Sequence, residues 1–156
     1  MYKRQDSERP LVIISILKGA IPFTADLIRA IDLPLRLEVL VASSYGSGTV
    51  SSGKVELKYQ SFGDLSGCNV ILVDDIIDSG NTLAAIGRTI QDFHPHHVAY
   101  CTFLNKPERR TADIAVDYQG YDIPDKFVIG YGLDYDSKYR ELADIFTIES
   151  FEGEDN

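Results

Sequence analysis

No apolar run in this chain approaches the roughly 20 residues that a helix needs to cross a bilayer. A membrane span is therefore not expected. Residues 1–10 are polar and charged, which speaks against a secretory leader and for a cytoplasmic location. Cysteine is scarce. Cys68 and Cys101 do not form a readable disulfide framework, and two cysteines without a secretion signal are expected to stay reduced. A basic excess is missing as well: 15 Lys and Arg against 24 Asp and Glu leave a formal charge of −9. Duplex-binding proteins show the opposite footprint, so nucleic acid is not an expected partner. The chain contains no internal repeat and no low-complexity tract.

What remains is an ordinary globular composition. At 156 residues and 44% hydrophobic content, the chain is long enough for one domain with a sizeable core. The most informative stretch is residues 70–83, V-I-L-V-D-D-I-I-D-S-G-N-T-L. Residues 70–73 form a short continuous apolar run, as expected of a strand buried on both faces of a parallel sheet. Residues 78–82 lie where that strand gives way to a helix. Unpaired backbone N–H groups and the positive end of a helix dipole suit a phosphate there, and Gly80 lets the backbone approach it. Carboxylates repel phosphate, so Asp74 and Asp75 are expected to face hydroxyls or a metal.

Other elements follow by pattern. Leu11–Leu17 reads as a second buried strand, followed by a helix over 20–31 with Phe23, Leu27, Ile28 and Ile31 at helical spacing. Leu35–Ser44 and residues 55–59 read as strands on either side of a Gly/Ser/Thr-rich loop over 45–53. A helix over 82–93 and a strand over 97–104 come next. Strands alternating with helices predict an α/β domain with a mostly parallel sheet flanked by helices. From Lys106 onward, Pro and Gly punctuate short strand-like runs, which predicts a small C-terminal hood. The expected division is a core over 11–105, a hood over 106–135, and a final strand and tail over 136–156. His94, His96 and His97 cluster around Pro95 after a helix, a placement that favours a loop over a metal site.

The 70–83 stretch resembles the phosphoribosyl pyrophosphate signature of the type I phosphoribosyltransferases. Further segments extend the resemblance to the bacterial hypoxanthine (hypoxanthine-guanine) branch of that family. They are Ser15 to Gly19, Ser43 to Gly48, Leu104 to Pro107 and Ile123 to Tyr135. Their order matches over residues 11 to about 148.

This resemblance implies a type I phosphoribosyltransferase fold. It also implies a Mg²⁺-dependent transfer of phosphoribose from phosphoribosyl pyrophosphate to hypoxanthine or guanine, by a homodimer or homotetramer. Roles carry over by position. Asp78 is the implied proton-transfer residue at N7 of the purine. Ser79, Gly80, Asn81 and Thr82 cradle the 5′-phosphate. Asp74 and Asp75 hold the ribose hydroxyls and are further metal candidates. Lys18, Gly19, Ser44, Tyr45 and Arg140 contact pyrophosphate, the turn at Lys18-Gly19 often through a non-proline cis peptide and residues 45–52 as a lid. Lys106 donates to O6 of the purine, Phe127 stacks on it, and Val128 presents backbone to its edge. Asp134 faces the purine site and the metal, the latter through water.

Three departures stand out. Asp74 replaces a glutamate common in the family, Asn81 stands where some relatives carry lysine, and only ten residues precede the first strand. The last of these predicts exposed apolar surface near the first helix, open to a subunit partner. The rival readings are a nucleotide-binding regulator of the same fold without turnover, and a transferase for xanthine or a pyrimidine.

Overall fold

Residues that are apolar without alternation can form a strand only if both faces are covered. Strand β1 (Leu11–Leu17) and strand β4 (Asn69–Ile77) meet that condition, and their residues up to Ile16 and Val73 are buried. The computed structural model describes residues 9–44, 55–58 and 62–148. Within them, β1 leads through helix α1 (Ile21–Ala30) to β2 (Leu35–Ser44), which pairs with β3 (Val55–Lys58). After β4 comes helix α2 (Asn81–Gln91), then β5 (His97–Asn105), a 3₁₀ turn (Pro107–Arg109), and β6 (Tyr118–Asp122).

The main sheet has the order β3-β2-β1-β4-β5-β6. Only the β2–β3 pair is antiparallel; β1, β2, β4, β5 and β6 run parallel. This is the α/β sheet with flanking helices that the alternation predicted.

The period of two in each strand divides the core. Val12, Ile14, Val70 and Leu72 pack with Leu83, Ile86 and Ile90 of α2. Leu11, Ile13, Ile71 and Val73 pack with Phe23, Leu27 and Ile28 of α1. The helices thus cover opposite faces of the central strands. On β2 the α1 face is not fully covered: Leu37, Val39 and Val41 are exposed.

Several boundaries move. The signature strand extends from the expected 70–73 to Asn69–Ile77, because β5 pairs with it through Ile77. The hood is smaller than the span 106–135. Residues 118–122 form β6 and join the main sheet beside β5. This edge strand is mostly exposed and contains Gly120, so it has no apolar run to announce it. The hood proper is built on β7 (Phe127–Ile129), which pairs antiparallel with β8 (Phe146–Ile148). The tail 149–156 lies outside the described residues.

Leu72 has no exposed surface and touches the α2 layer at the centre of the sheet. Leu72→Ala is expected to destabilise the fold by about 2–5 kcal/mol, read as a lower urea midpoint at unchanged slope.

Candidate active site

Strands β1 and β4 lie side by side, and their connections diverge: β1 leads to β2 on one side, β4 to β5 on the other. In an open α/β sheet this reversal leaves a crevice beyond the carboxyl ends of the strands. A cavity of about 310 Å³ opens there. Its walls are the turn after β1, the end of β4, the start of α2, and Asp134 and Arg140 from the segment between β7 and β8.

The β1 turn contributes Lys18 and Gly19. The Leu17–Lys18 peptide bond is cis. A Cβ added at Gly19 would fall 1.5 Å from Asp75 Oδ2, so any side chain there would displace the carboxylate. Lys18 is exposed at the rim.

Neighbouring strand residues point to opposite faces, yet Asp74 and Asp75 both line this cavity. The alternation slips at the acids. Val70 and Leu72 face α2, and Ile77 rejoins them despite its odd number. Asp75 drops out of the β4–β5 register, which resumes at Ile76. The carboxylates take over as local acceptors: the Asp75 N–H donates to Asp74 Oδ1 (3.1 Å) and the Ile76 N–H to Asp75 Oδ1 (2.8 Å).

Burial raises the Asp74 pKa well above the ordinary carboxylate range, and the Asp75 charge pushes it the same way. Asp75 is also raised, chiefly by burial. Hydrogen bonds from Asp74 and from the Ile76 N–H, and the charge of Arg140, oppose that rise. Burial thus makes the pair harder to ionise than two exposed carboxyls.

Past β4, Gly80 caps α2 with φ +82° and no side-chain cap bond. That conformation favours glycine. Asp78 is thus not the helix cap, which leaves its carboxylate available to the cavity it lines. Ser79, Gly80 and Thr82 line the cavity too, beside first-turn N–H groups that have no partner within the helix. The Asn81 side chain departs from the expected cradle. It is exposed and donates from Nδ2 to Thr111 Oγ1 (3.2 Å), because successive helical residues do not share a face.

The loop is braced from behind by residues that the sequence reading missed. Arg110 donates from Nε to the Asp78 carbonyl (3.2 Å) and from Nη2 to Asn105 Oδ1 (2.5 Å). The Thr111 and Ala112 N–H groups both donate to the Ser79 carbonyl, at 3.0 and 2.9 Å. Arg109 Nε lies 3.0 Å from Asp78 Oδ1, an ion contact whose angle is too poor for a hydrogen bond. The available signal was a basic pair just after a strand; what the sequence could not reveal is that this strand ends beside β4.

Asp134 and Arg140 line the cavity, where they hold each other. Arg140 Nη2 lies 2.7 Å from Asp134 Oδ1, and Nη1 donates to the Gly132 carbonyl (2.6 Å). Asp134 Oδ2 accepts the Ser137 N–H (2.8 Å).

Asp78 and Asp134 line this cavity, whereas Lys106, Phe127 and Val128, the other residues expected at the purine, stand apart from it. Lys106 is 6% exposed. Its N–H donates to the Ile77 carbonyl (2.9 Å), and its ammonium lies 3.6 Å from Asp125 Oδ1. Phe127 is half exposed, its ring edge-on to Tyr135 at 5.7 Å, and borders a separate hollow of about 410 Å³. Val128 is buried against Leu104 and Leu133. Phe127 and Val128 belong to β7, in the small sheet, which is why the main cavity does not include them. Ser44 ends β2 opposite Val55; its side chain, Tyr45 and the expected lid lie outside the described residues.

Comparison with known proteins matches residues 1–136 to the family described as phosphoribosyl transferase domain. The hypoxanthine-guanine phosphoribosyltransferase of Mycobacterium avium is 44% identical over 144 residues, covering 92% of this chain and 71% of that protein. A crystal structure of a hypoxanthine phosphoribosyltransferase from Staphylococcus aureus superposes with a TM-score of 0.86 at 40% identity, covering 90% of this chain and 77% of that one. The Trypanosoma cruzi hypoxanthine phosphoribosyl transferase, solved in work on its C-terminal region, oligomeric state and activity, has a TM-score of 0.84 at 42% identity, covering 90% of this chain and 73% of that one.

The acid pair makes stability depend on pH. A carboxyl whose folded pKa exceeds its unfolded value, 3.8 for Asp74, is more protonated in the fold than in the unfolded chain. Stability is then full below that value, falls as pH rises toward the folded pKa, and stays lower above it. Asp74→Asn removes the buried charge, so the ligand-free variant is expected to melt above the wild type at pH 7. The gap should close below about pH 4. Calorimetry across pH checks this, and a lower melting point for the variant at pH 7 would contradict it.

Proposed function

The chain belongs to the phosphoribosyl transferase domain family, and from that premise we propose that it transfers the phosphoribosyl group of 5-phosphoribosyl 1-pyrophosphate to N9 of hypoxanthine or guanine. The products are IMP or GMP plus pyrophosphate, and the role is purine salvage. One observation carries the reading. A single cavity gathers the Lys18-Gly19 turn after β1, two adjacent acids, and the glycine-capped start of a helix. These suit three parts of one ligand: a pyrophosphate, a pair of ribose hydroxyls and a 5′-phosphate.

In this reading Ser79, Gly80 and Thr82 hold the 5′-phosphate through hydroxyls and first-turn N–H groups, with Asn81 contributing its backbone. Asp74 and Asp75 accept from the ribose hydroxyls, the stronger kind of bond where the acceptor is charged. Lys18, Gly19 and Arg140 receive pyrophosphate; the Arg140 fork is the shape that matches it. Ser44 and Tyr45 are assigned to the pyrophosphate as well.

The bond from the anomeric carbon to pyrophosphate breaks, the N9–carbon bond forms, and Asp78 takes the proton from N7. No covalent protein nucleophile is required; orientation and fixed charge do the work. Lys106 donates to O6, and a site built around that bond disfavours a base lacking the oxo group. Phe127 and Val128 complete the base site.

Magnesium belongs to the proposal. Among the described residues no cluster of three or more His, Cys, Asp or Glu converges to hold an ion. Magnesium does not need one, because it keeps several waters and binds through one or two carboxylates plus substrate phosphates. Asp74, Asp75 and Asp134 offer hard oxygen donors around one cavity, so the donor set fits. When bound, the ion neutralises charge on the departing pyrophosphate.

The −9 charge argues against a nucleic-acid-binding regulator, and no helix among the described residues is long and apolar enough to cross a membrane. A cytoplasmic homodimer or homotetramer completes the reading, supported by the exposed apolar side chains of β2.

Incubating the protein with the ribosyl donor, Mg²⁺ and each of hypoxanthine, guanine, xanthine and adenine is expected to give IMP and GMP. Nucleotide binding without product would favour the regulator. Asp78→Asn is expected to lower kcat by about a hundredfold or more while the donor KM stays near wild type. An unchanged kcat would remove its proton role.

A further inference from the structure

Asp78 and Lys106 are assigned to N7 and O6, which lie on the same edge of one purine ring system. Two groups that read one rigid edge must themselves be held at a set separation. The backbone supplies part of this: the Lys106 N–H donates to the carbonyl of Ile77, the residue before Asp78. The side chains supply the rest through two residues with no role so far. Arg109 Nε lies 3.0 Å from Asp78 Oδ1. The same guanidinium, through Nη1, lies 3.5 Å from Asp125 Oδ1, and that oxygen lies 3.6 Å from Lys106 Nζ. A chain of alternating charge thus runs Asp78, Arg109, Asp125, Lys106, with the purine-reading groups at its ends.

We propose that Arg109 and Asp125 are positioning residues that space the Asp78 carboxylate and the Lys106 ammonium for the N7/O6 edge of a 6-oxopurine. The inference rests on the function proposed above. Its physical logic is separate from fold stability. Arg109, Asp125 and Asp78 are each between two-fifths and just over half exposed at their side chains, and ion pairs that wet add little to folding. Lys106 differs, since its side chain is 8% exposed. A buried ammonium follows its counterion, so moving Asp125 moves the donor. The arrangement also fixes Asp78: with Oδ1 facing Arg109, Oδ2 is the oxygen left for the base.

The test is steady-state kinetics with hypoxanthine and the ribosyl donor varied in turn, on wild type, Asp125→Asn, Arg109→Gln and Arg109→Lys. Asp125→Asn and Arg109→Gln are expected to raise the hypoxanthine KM roughly tenfold, short of the loss of about a hundredfold that misplacing a reacting group by about 1 Å can cause. The donor KM should stay within about twofold. Arg109→Lys keeps the charge and is expected to recover part of the loss. An unchanged hypoxanthine KM in both neutralised variants overturns the proposal, as does a parallel rise in both KM values, which marks a structural role. The exposed Arg109 variants keep the test alive if Asp125→Asn does not fold. Wild-type protein that makes no IMP at all would overturn the proposed function and this inference with it. Turnover with unmoved base kinetics would overturn the inference alone.

Discussion

The contact between the β1 turn and the β4 acids is the constraint on which the site depends. Gly19 and Asp75 occupy space that a single methyl group would fill. Because the sheet brings these two strand ends together, the Lys18-Gly19 turn and a pair of carboxylates face one small volume. On the proposed reading, opposite demands meet within it: positive character at the rim, acceptors for hydroxyls at the floor, and N–H groups for a phosphate at the start of α2. Acids that are hard to ionise belong to this arrangement. Burial raises both, and a ligand that presents hydroxyls to them offsets part of that cost.

Much of the framework was legible in the chain because burial on both faces leaves a simple mark. Leu11 to Leu17 is apolar apart from Ser15 and residues 70–73 are apolar throughout, and α1 shows Phe23, Leu27 and Ile28 at helical spacing. The phosphate loop was legible for a different reason: the strand end, the acids and Gly80 are contiguous in sequence. What stayed hidden is what depends on non-neighbouring segments meeting. Strand β6 carries few apolar residues and pairs only because β5 runs beside it. Arg109 and Arg110 read as ordinary surface charges until the end of β5 is laid against the end of β4.

The base side of the site shows how far a linear pattern reaches. Residues 106, 127 and 128 were singled out, yet they occupy different supports: Lys106 at the end of a central strand, Phe127 and Val128 in the small β7–β8 sheet. On the proposed reading, the phosphate-binding groups stand at the ends of main-sheet elements, while part of the base site stands in the two-stranded β7–β8 sheet.

Cations in and beyond the cavity wall are already partnered: Arg140, inside it, with Asp134, and Arg109 and Lys106, outside it, with Asp78 and Asp125. An incoming anion at Arg140 therefore does not gain a fresh ion pair; it exchanges one partner for another. On the proposed reading, the net gain is the difference between two attractions, so a multiply charged phosphate is better placed than a singly charged anion to displace the internal carboxylate.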